Sequence, residues 1–155
     1  MRISFDLEDT LICYENDTPC EPRPAWYRRW MTPDEPLRLG ARRLFQSLRA
    51  RGHELWIYTT SFRSPSSVKL WLWSYGIRVK RVVNQHVHDR RLSRGPMDYP
   101  PSKNPRAFDI DLHVDDLDGV RQEGEVHGFR VVVVSPSDEF WVDKVLAAAD
   151  AVRPR

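Results

Sequence analysis

Arg51-Gly52-His53 leads directly into Glu54-Leu55-Trp56-Ile57-Tyr58-Thr59. This is a helix stopped by a glycine, followed at once by a strand rich in apolar and aromatic residues. Glycine takes the left-handed conformation that closes a helix without a Cβ clash. The same grammar recurs twice. Tyr75-Gly76-Ile77 leads into Val79-Lys80-Arg81-Val82-Val83, and His127-Gly128-Phe129 leads into Arg130-Val131-Val132-Val133-Val134. Helix, glycine and strand repeated three times is the pattern of α/β winding. The fold expected is a Rossmann-like three-layer α/β/α sandwich on a central, mostly parallel five-stranded sheet.

Strands are expected near 2–7, 53–59, 79–83, 110–115 and 130–134, and helices near 37–51, 65–75, 119–127 and 138–150. Ser64 is placed to cap the second helix, with Pro65 at its first position, where a missing N–H costs nothing. Ser137 is expected to cap the last helix, with Phe140, Trp141, Val145 and Ala148 on its buried face. Trp71 and Trp73 lie two apart and cannot share a helix face, so one belongs to the core and the other is partly exposed. Two segments stand outside the winding. Residues 13–36 are polar and Pro-rich, with Trp26, Tyr27 and Trp30 read as a packed patch. Residues 86–108 are basic and carry Pro96, Pro100, Pro101 and Pro105. Both follow strands, and in open α/β sheets the loops beyond the C-terminal strand ends build the site.

At 155 residues, 41% hydrophobic and 30% charged, the chain is expected to form one soluble domain. No apolar run is long enough to span a membrane, and Asp6 interrupts any signal-peptide core. Cys13 and Cys20 match no zinc spacing and are read as reduced thiols of a cytoplasmic protein. The net charge of +2 hides an asymmetry. Residues 78–106 carry eight Lys/Arg against Asp89 and Asp98, whereas residues 109–150 carry eleven acids against three bases. Such blocks form solvated faces. They also suit a basic rim around an acidic floor that receives an anionic substrate.

The polar residues at the expected strand ends converge. Strand one ends in Asp6-Leu7-Glu8-Asp9-Thr10-Leu11, strand two in Thr59, Thr60 and Ser61, and strand four in Asp115 and Asp116. Lys103 lies just before strand four. Carboxylates emerging from a hydrophobic core repel one another unless a cation or proton compensates. Bland roles stand beside this one: Asp116 as a helix cap, Asp118 as a competing cap or ligand, Lys103 as a surface lysine with Arg106 in its place. His86-Val87-His88 is read as two surface histidines on an extended segment.

In this order the motifs resemble those of the haloacid dehalogenase superfamily of phosphotransferases. Asp6, Glu8, Thr10 and Leu11 are similar to its first motif, Thr59 to its second, Lys103 to its third, and Asp115-Asp116 to its fourth. The resemblance covers residues 2 to about 134. It implies a magnesium-dependent phosphatase with Asp6 as nucleophile and Glu8 as acid and base. It further implies Thr59 on the phosphoryl group, Lys103 balancing charge, and Thr60, Ser61 and Arg106 binding substrate. Magnesium would be held by Asp6, the backbone of Glu8, and Asp115 or Asp116. Glu8 stands where the superfamily usually has aspartate, and its extra methylene displaces the carboxyl in a geometry that tolerates little misplacement. A single domain with a small insert at 13–36 and no large cap implies an open site for a small or macromolecular phosphoester. A catalytically inert binding module is the alternative. A nucleic-acid-end phosphatase, or a nucleic-acid-binding protein using residues 78–106, is a further one; Tyr99 is its sole aromatic there, and stacking platforms need several.

Overall fold

The computed structural model describes residues 1–14, 17–25, 32, 34–92 and 101–152. Trp26, Tyr27, Trp30, Pro96, Pro100 and Tyr99 lie outside the described residues. Five strands form one sheet: β1 (Arg2–Phe5), β2 (Glu54–Tyr58), β3 (Arg81–Val83), β4 (Leu112–Asp115) and β5 (Val131–Val133). Their order is β3-β2-β1-β4-β5, and every neighbouring pair is parallel. The chain winds outward from β1 to β3, then returns to the other side of β1 for β4. That reversal makes the gap beyond the C-terminal ends of β1 and β4 the switch point at which open α/β sheets bind ligands.

Strand alternation sorts the two faces. Ile3, Phe5, Leu55, Ile57, Val82, Leu112 and Val114 join one core cluster. It is covered by α1 (Ala41–Ala50), α2 (Pro65–Ser74) and α5 (Trp141–Ala151). Phe5 meets Phe45 of α1 with ring centroids 4.6 Å apart. Trp71 of α2 is buried there, while Trp73 on the other side of the helix is 42% exposed. Ser64 caps α2 as expected, accepting the Ser67 N–H at 3.1 Å. The opposite face carries Ser4, Trp56, Tyr58, His113 and Asp115, all buried. Trp56, Tyr58 and Val83 pack there on Phe108 and Ile110. Phe108 ends a short 3-10 helix, Pro105–Phe108. α4 (Asp118–His127) lies alongside, its Glu123 accepting hydrogen bonds from Ser102.

Three expected elements are corrected. The first helix starts at Ala41, not near 37, because Leu37 and Arg38 form β-bridges to Ile12 and Cys20. The segment expected to be a loop after β3 opens with α3 (Gln85–Leu92). Asn84 starts it by accepting the Val87 N–H at 3.1 Å, a capping role that asparagine favours. His86 and His88 therefore sit on a helix. His86 is exposed against Phe62, and His88 is buried against Tyr58. The last helix starts at Trp141, with Phe140 at its N-cap and no side-chain cap. Ser137 does not cap it: residues 135–138 form a turn in which Asp138 accepts the Phe140 N–H. Phe140 is 72% exposed instead of joining the core.

Tyr58 and His88 set a pH dependence. The Tyr58 hydroxyl accepts the Asn104 N–H at 2.8 Å and lies 2.5 Å from His88 Nδ1. Burial holds the His88 pKa below the usual histidine value. The unfolded chain regains an imidazole that titrates near 6.5. Between those two values the unfolded state binds the extra proton, so stability falls as pH falls through the ordinary histidine range. Urea midpoints measured between pH 8 and 5 should drop less steeply for His88→Gln than for wild type. Parallel slopes would show that His88 carries none of the effect.

Candidate functional site

The loop after β1 turns tightly. The Asp6 N–H continues the sheet by donating to the Val114 carbonyl at 2.8 Å, and the Leu11 and Ile12 N–H groups both return to the Leu7 carbonyl. Asp9 takes the left-handed conformation at φ 54°, which aspartate tolerates better than most residues. Leu7 and Leu11 are driven into the core. This leaves Asp6 and Thr10 to line the switch point. On the neighbouring strand, Asp115 ends β4 and Asp116 follows it.

Asp6, Asp115 and Asp116 each offer one carboxylate oxygen, and these lie within 4.8 Å of one another. Lys103 comes in over them, only 2% exposed, with Nζ 2.9 Å from Asp6 Oδ1 and 2.6 Å from Asp115 Oδ2. The contact to Asp115 is an aligned hydrogen bond. The contact to Asp6 is off alignment, so Lys103 gives Asp6 its charge while Oδ1 keeps no hydrogen-bond partner. Asp115 is fully committed. Oδ1 accepts the Leu117 N–H at 3.0 Å, and Oδ2 faces both Lys103 and His113 Nε2. His113 Nδ1 lies 2.8 Å from the Ser4 hydroxyl. Burial pushes the His113 pKa down. A neutral ring with its proton on Nε2 satisfies both contacts, donating to Asp115 and accepting from Ser4. Asp116 is half-buried, and its Oδ1 accepts the Thr10 hydroxyl at 3.3 Å.

These surroundings separate the acids. Burial pushes the Asp6 carboxyl up to about 7, with Lys103 opposing and the Asp115 charge reinforcing the rise. Burial also works against charge on Asp115, but His113 and Lys103 prevail and hold it well below the usual carboxylate range. Asp116 is raised by burial and by Asp115. Lys103 is raised: burial opposes its charge, and the two aspartates outweigh that.

Glu8 points to the other side of the loop. Its Oε2 accepts the Thr59 hydroxyl at 2.7 Å, and its Oε1 accepts Arg63 Nε at 3.0 Å. Arg63 also forks onto Glu35 at 2.9 and 2.6 Å and donates to the Tyr14 hydroxyl at 3.0 Å. The Glu35 carbonyl is in turn held by Trp71 Nε1 and the Tyr75 hydroxyl. The Glu8 carbonyl accepts the Thr10 N–H at 2.6 Å, which leaves one of its lone pairs open.

Of the remaining sequence candidates, Ser61 joins Thr59, whose hydroxyl lies 3.2 Å from Ser61 Oγ and 3.0 Å from its N–H. Thr60 is exposed beside them. Arg106 is exposed on the 3-10 helix, and its guanidinium lies against Gly128 near the start of β5, at the opposite edge of the sheet. Asp118 opens α4 and is spent on Arg121 and Gln122. Sequence reasoning missed the Arg63–Glu35–Tyr14 clamp, which needs three segments distant in sequence. It also missed His113 and Ser4. There a signal existed: His113 and Asp115 are two apart on a strand and must share a face.

No described helix is long and apolar enough to cross a membrane. A scan against protein-family models and a search of curated proteins return no match for this chain.

Proposed function

We propose that this chain is a magnesium-dependent phosphomonoester hydrolase that works through an aspartyl-phosphate on Asp6. The observation that carries the reading is the convergence of Asp6, Asp115 and Asp116 at the sheet's switch point, with Lys103 against two of them. An all-oxygen donor set suits a hard divalent cation. Asp6 supports this fit, because its buried carboxylate shares one ammonium, that of Lys103, with Asp115, and a buried carboxylate short of positive charge is costly. Donors already crowd Asp115, so Asp6, Asp116 and the Glu8 carbonyl would hold the ion. Bound magnesium supplies positive charge against the phosphoryl oxygens.

The chain's own groups then have distinct tasks. Asp6 attacks phosphorus, the bond from phosphorus to the ester oxygen breaks, and protonated Glu8 gives its proton to the departing oxygen. A water then gives a proton back to Glu8 and attacks phosphorus. The bond to Asp6 breaks, and inorganic phosphate leaves. Lys103 offsets charge on Asp6 and Asp115, and Asp115 orients Lys103. Splitting one displacement into two lowers each barrier. Free thiols at Cys13 and Cys20 are in keeping with a cytoplasmic enzyme.

One observation favours a second reading, a binding module that keeps the site without turnover. Arg63 and Thr59 occupy both Glu8 oxygens, and an acid paired this way must turn away from Arg63 to protonate a leaving group. Hydrolysis of p-nitrophenyl phosphate with magnesium, and with EDTA instead, separates the two readings. In the enzyme, Glu8→Gln should slow turnover by about 10²–10⁴-fold and let acid-quenched aspartyl-phosphate accumulate, because the water step loses its base. If wild type is inert and Glu8→Asp gains turnover, the binding module is the correct reading.

A further inference from the structure

A second charged feature lies away from the aspartates, at the edge of the sheet where the strands begin. Here a cleft of about 470 Å³ is lined by four arginines, Arg2, Arg81, Arg90 and Arg91, against one carboxylate, Asp109, with Trp56 in its wall. The arginines come from three elements: β1, β3 and the last turn of α3. Trp56 is 5% exposed, so its ring is no stacking platform. It serves instead as a support. The Arg2 guanidinium lies 4.4 Å from its ring centroid and that of Arg81 5.3 Å. Glu54 fixes this support by accepting from Arg2 Nε at 2.9 Å and from Trp56 Nε1 at 2.7 Å.

The charge in the cleft is only partly compensated. Arg2 is spent on Glu54 and on the Phe108 carbonyl. Arg91 gives its Nε to the Ala107 carbonyl at 3.1 Å, and among the described residues no hydrogen bond engages its terminal nitrogens. Among the described residues, the side chains of Arg81 and Arg90 have no carboxylate partner and no hydrogen bond, and Arg81, Arg90 and Arg91 are all exposed. Cations in the last turn of α3 also complement the helix dipole. That explains Arg90 and Arg91 on the helix, but not their meeting with Arg81 from a strand. Like charges converge at a cost unless an anion joins them. Guanidinium forks match phosphate oxygens two at a time, and forks held by an aromatic face lose less entropy on binding.

We infer that this cleft is a binding site for a compact ligand carrying two or more phosphate groups, separate from the Asp6 centre. The forks of Arg81, Arg90 and Arg91 are its anchors. The volume is that of a small-molecule site, and three converging cations suit a charge beyond that of one phosphate. The inference does not depend on whether the Asp6 centre hydrolyses anything.

Inorganic tripolyphosphate is the probe, titrated calorimetrically into the full chain in EDTA. The expected result is saturable binding that Arg81→Ala/Arg90→Ala weakens by about tenfold or more, the loss of roughly one charge-assisted contact. Asp6→Asn should bind as wild type does. Arg90→Glu, a single change on an exposed helix position, should reproduce the loss if the double variant folds poorly. Affinity untouched in both arginine variants, or lost in Asp6→Asn alone, overturns the site. A labelled ten-residue oligothymidylate supplies the other source of phosphate. If it binds through Arg81 and Arg90 while tripolyphosphate neither binds nor competes, the compact-ligand assignment is overturned.

Discussion

Asp6→Asn should abolish magnesium-dependent hydrolysis of p-nitrophenyl phosphate, with a loss of at least about 10³-fold, while leaving the fold intact. The size of the effect follows from the role. An amide oxygen is a far poorer nucleophile than a carboxylate, and removing a covalent nucleophile removes the route and not merely one contact. The fold should survive because asparagine has the shape of aspartate, and Lys103 keeps its aligned bond to Asp115 at 2.6 Å. Circular dichroism and thermal melting establish the second point alongside the assay. Magnesium should also raise the melting temperature of wild type more than that of the variant, by mass action on a ligand set that the variant lacks. Turnover near the wild-type rate in Asp6→Asn would remove Asp6 from the nucleophile's role, whatever the metal does.

The largest effect on stability belongs to Lys103. Lys103→Met leaves Asp6 and Asp115 buried beside one another with no cation between them. Removing one partner of a buried ion pair costs about 3–5 kcal/mol, because the remaining charge is left without compensation. For a chain of this size that corresponds to a melting temperature lower by roughly 10 °C. The loss should shrink as pH falls, since protonating Asp6 removes the repulsion that Lys103 had screened. Magnesium should restore part of it. Urea unfolding at pH 7.5 and pH 5.5, with and without magnesium, tests all three statements. A loss below about 1 kcal/mol at pH 7.5 would mean that Lys103 behaves as a surface lysine and not as the keystone of the acidic cluster.

The two candidate sites in this molecule were legible to different degrees. The acidic cluster was nearly complete in the sequence because each member ends or follows a strand, and in a parallel sheet all such ends lie on one edge. Asp6 after Phe5, Thr59 after Tyr58 and Asp116 after Asp115 could thus be brought together before any contact was known. The Glu8 clamp was not legible. Arg63, Glu35 and Tyr14 lie on three loops, and nothing local in any of them announces the others. Their meeting changes the chemistry, since Thr59 donates to Glu8 instead of being free for a phosphoryl group. The basic block at 78–106 was visible as composition only. Its arginines split: Arg106 goes to Gly128, while Arg81, Arg90 and Arg91 join Arg2 from the other end of the sequence distance.

Local physics accounts for what the sequence alone determined. Glycines at Gly52, Gly76 and Gly128 adopt positive φ and end helices or turns before strands, and the apolar runs that follow are long enough only for a strand. Winding class, strand count and the edge that bears the acids all follow from that periodicity. The tertiary structure decided what depends on partners far away in the chain. It made all neighbouring strand pairs parallel, and it turned His86-Val87-His88 into a helix through the Asn84 cap. It shifted the last helix to Trp141, because Asp138 is drawn into a turn. It also set the charge states of Asp6 and Asp115 apart. Both are buried aspartates, but for Asp6 burial and the Asp115 charge outweigh Lys103 and raise its carboxyl, whereas for Asp115 the His113 and Lys103 contacts outweigh burial and lower it. Burial and hydrogen-bond alignment are properties of the assembled sheet edge, and no single stretch of residues carries them.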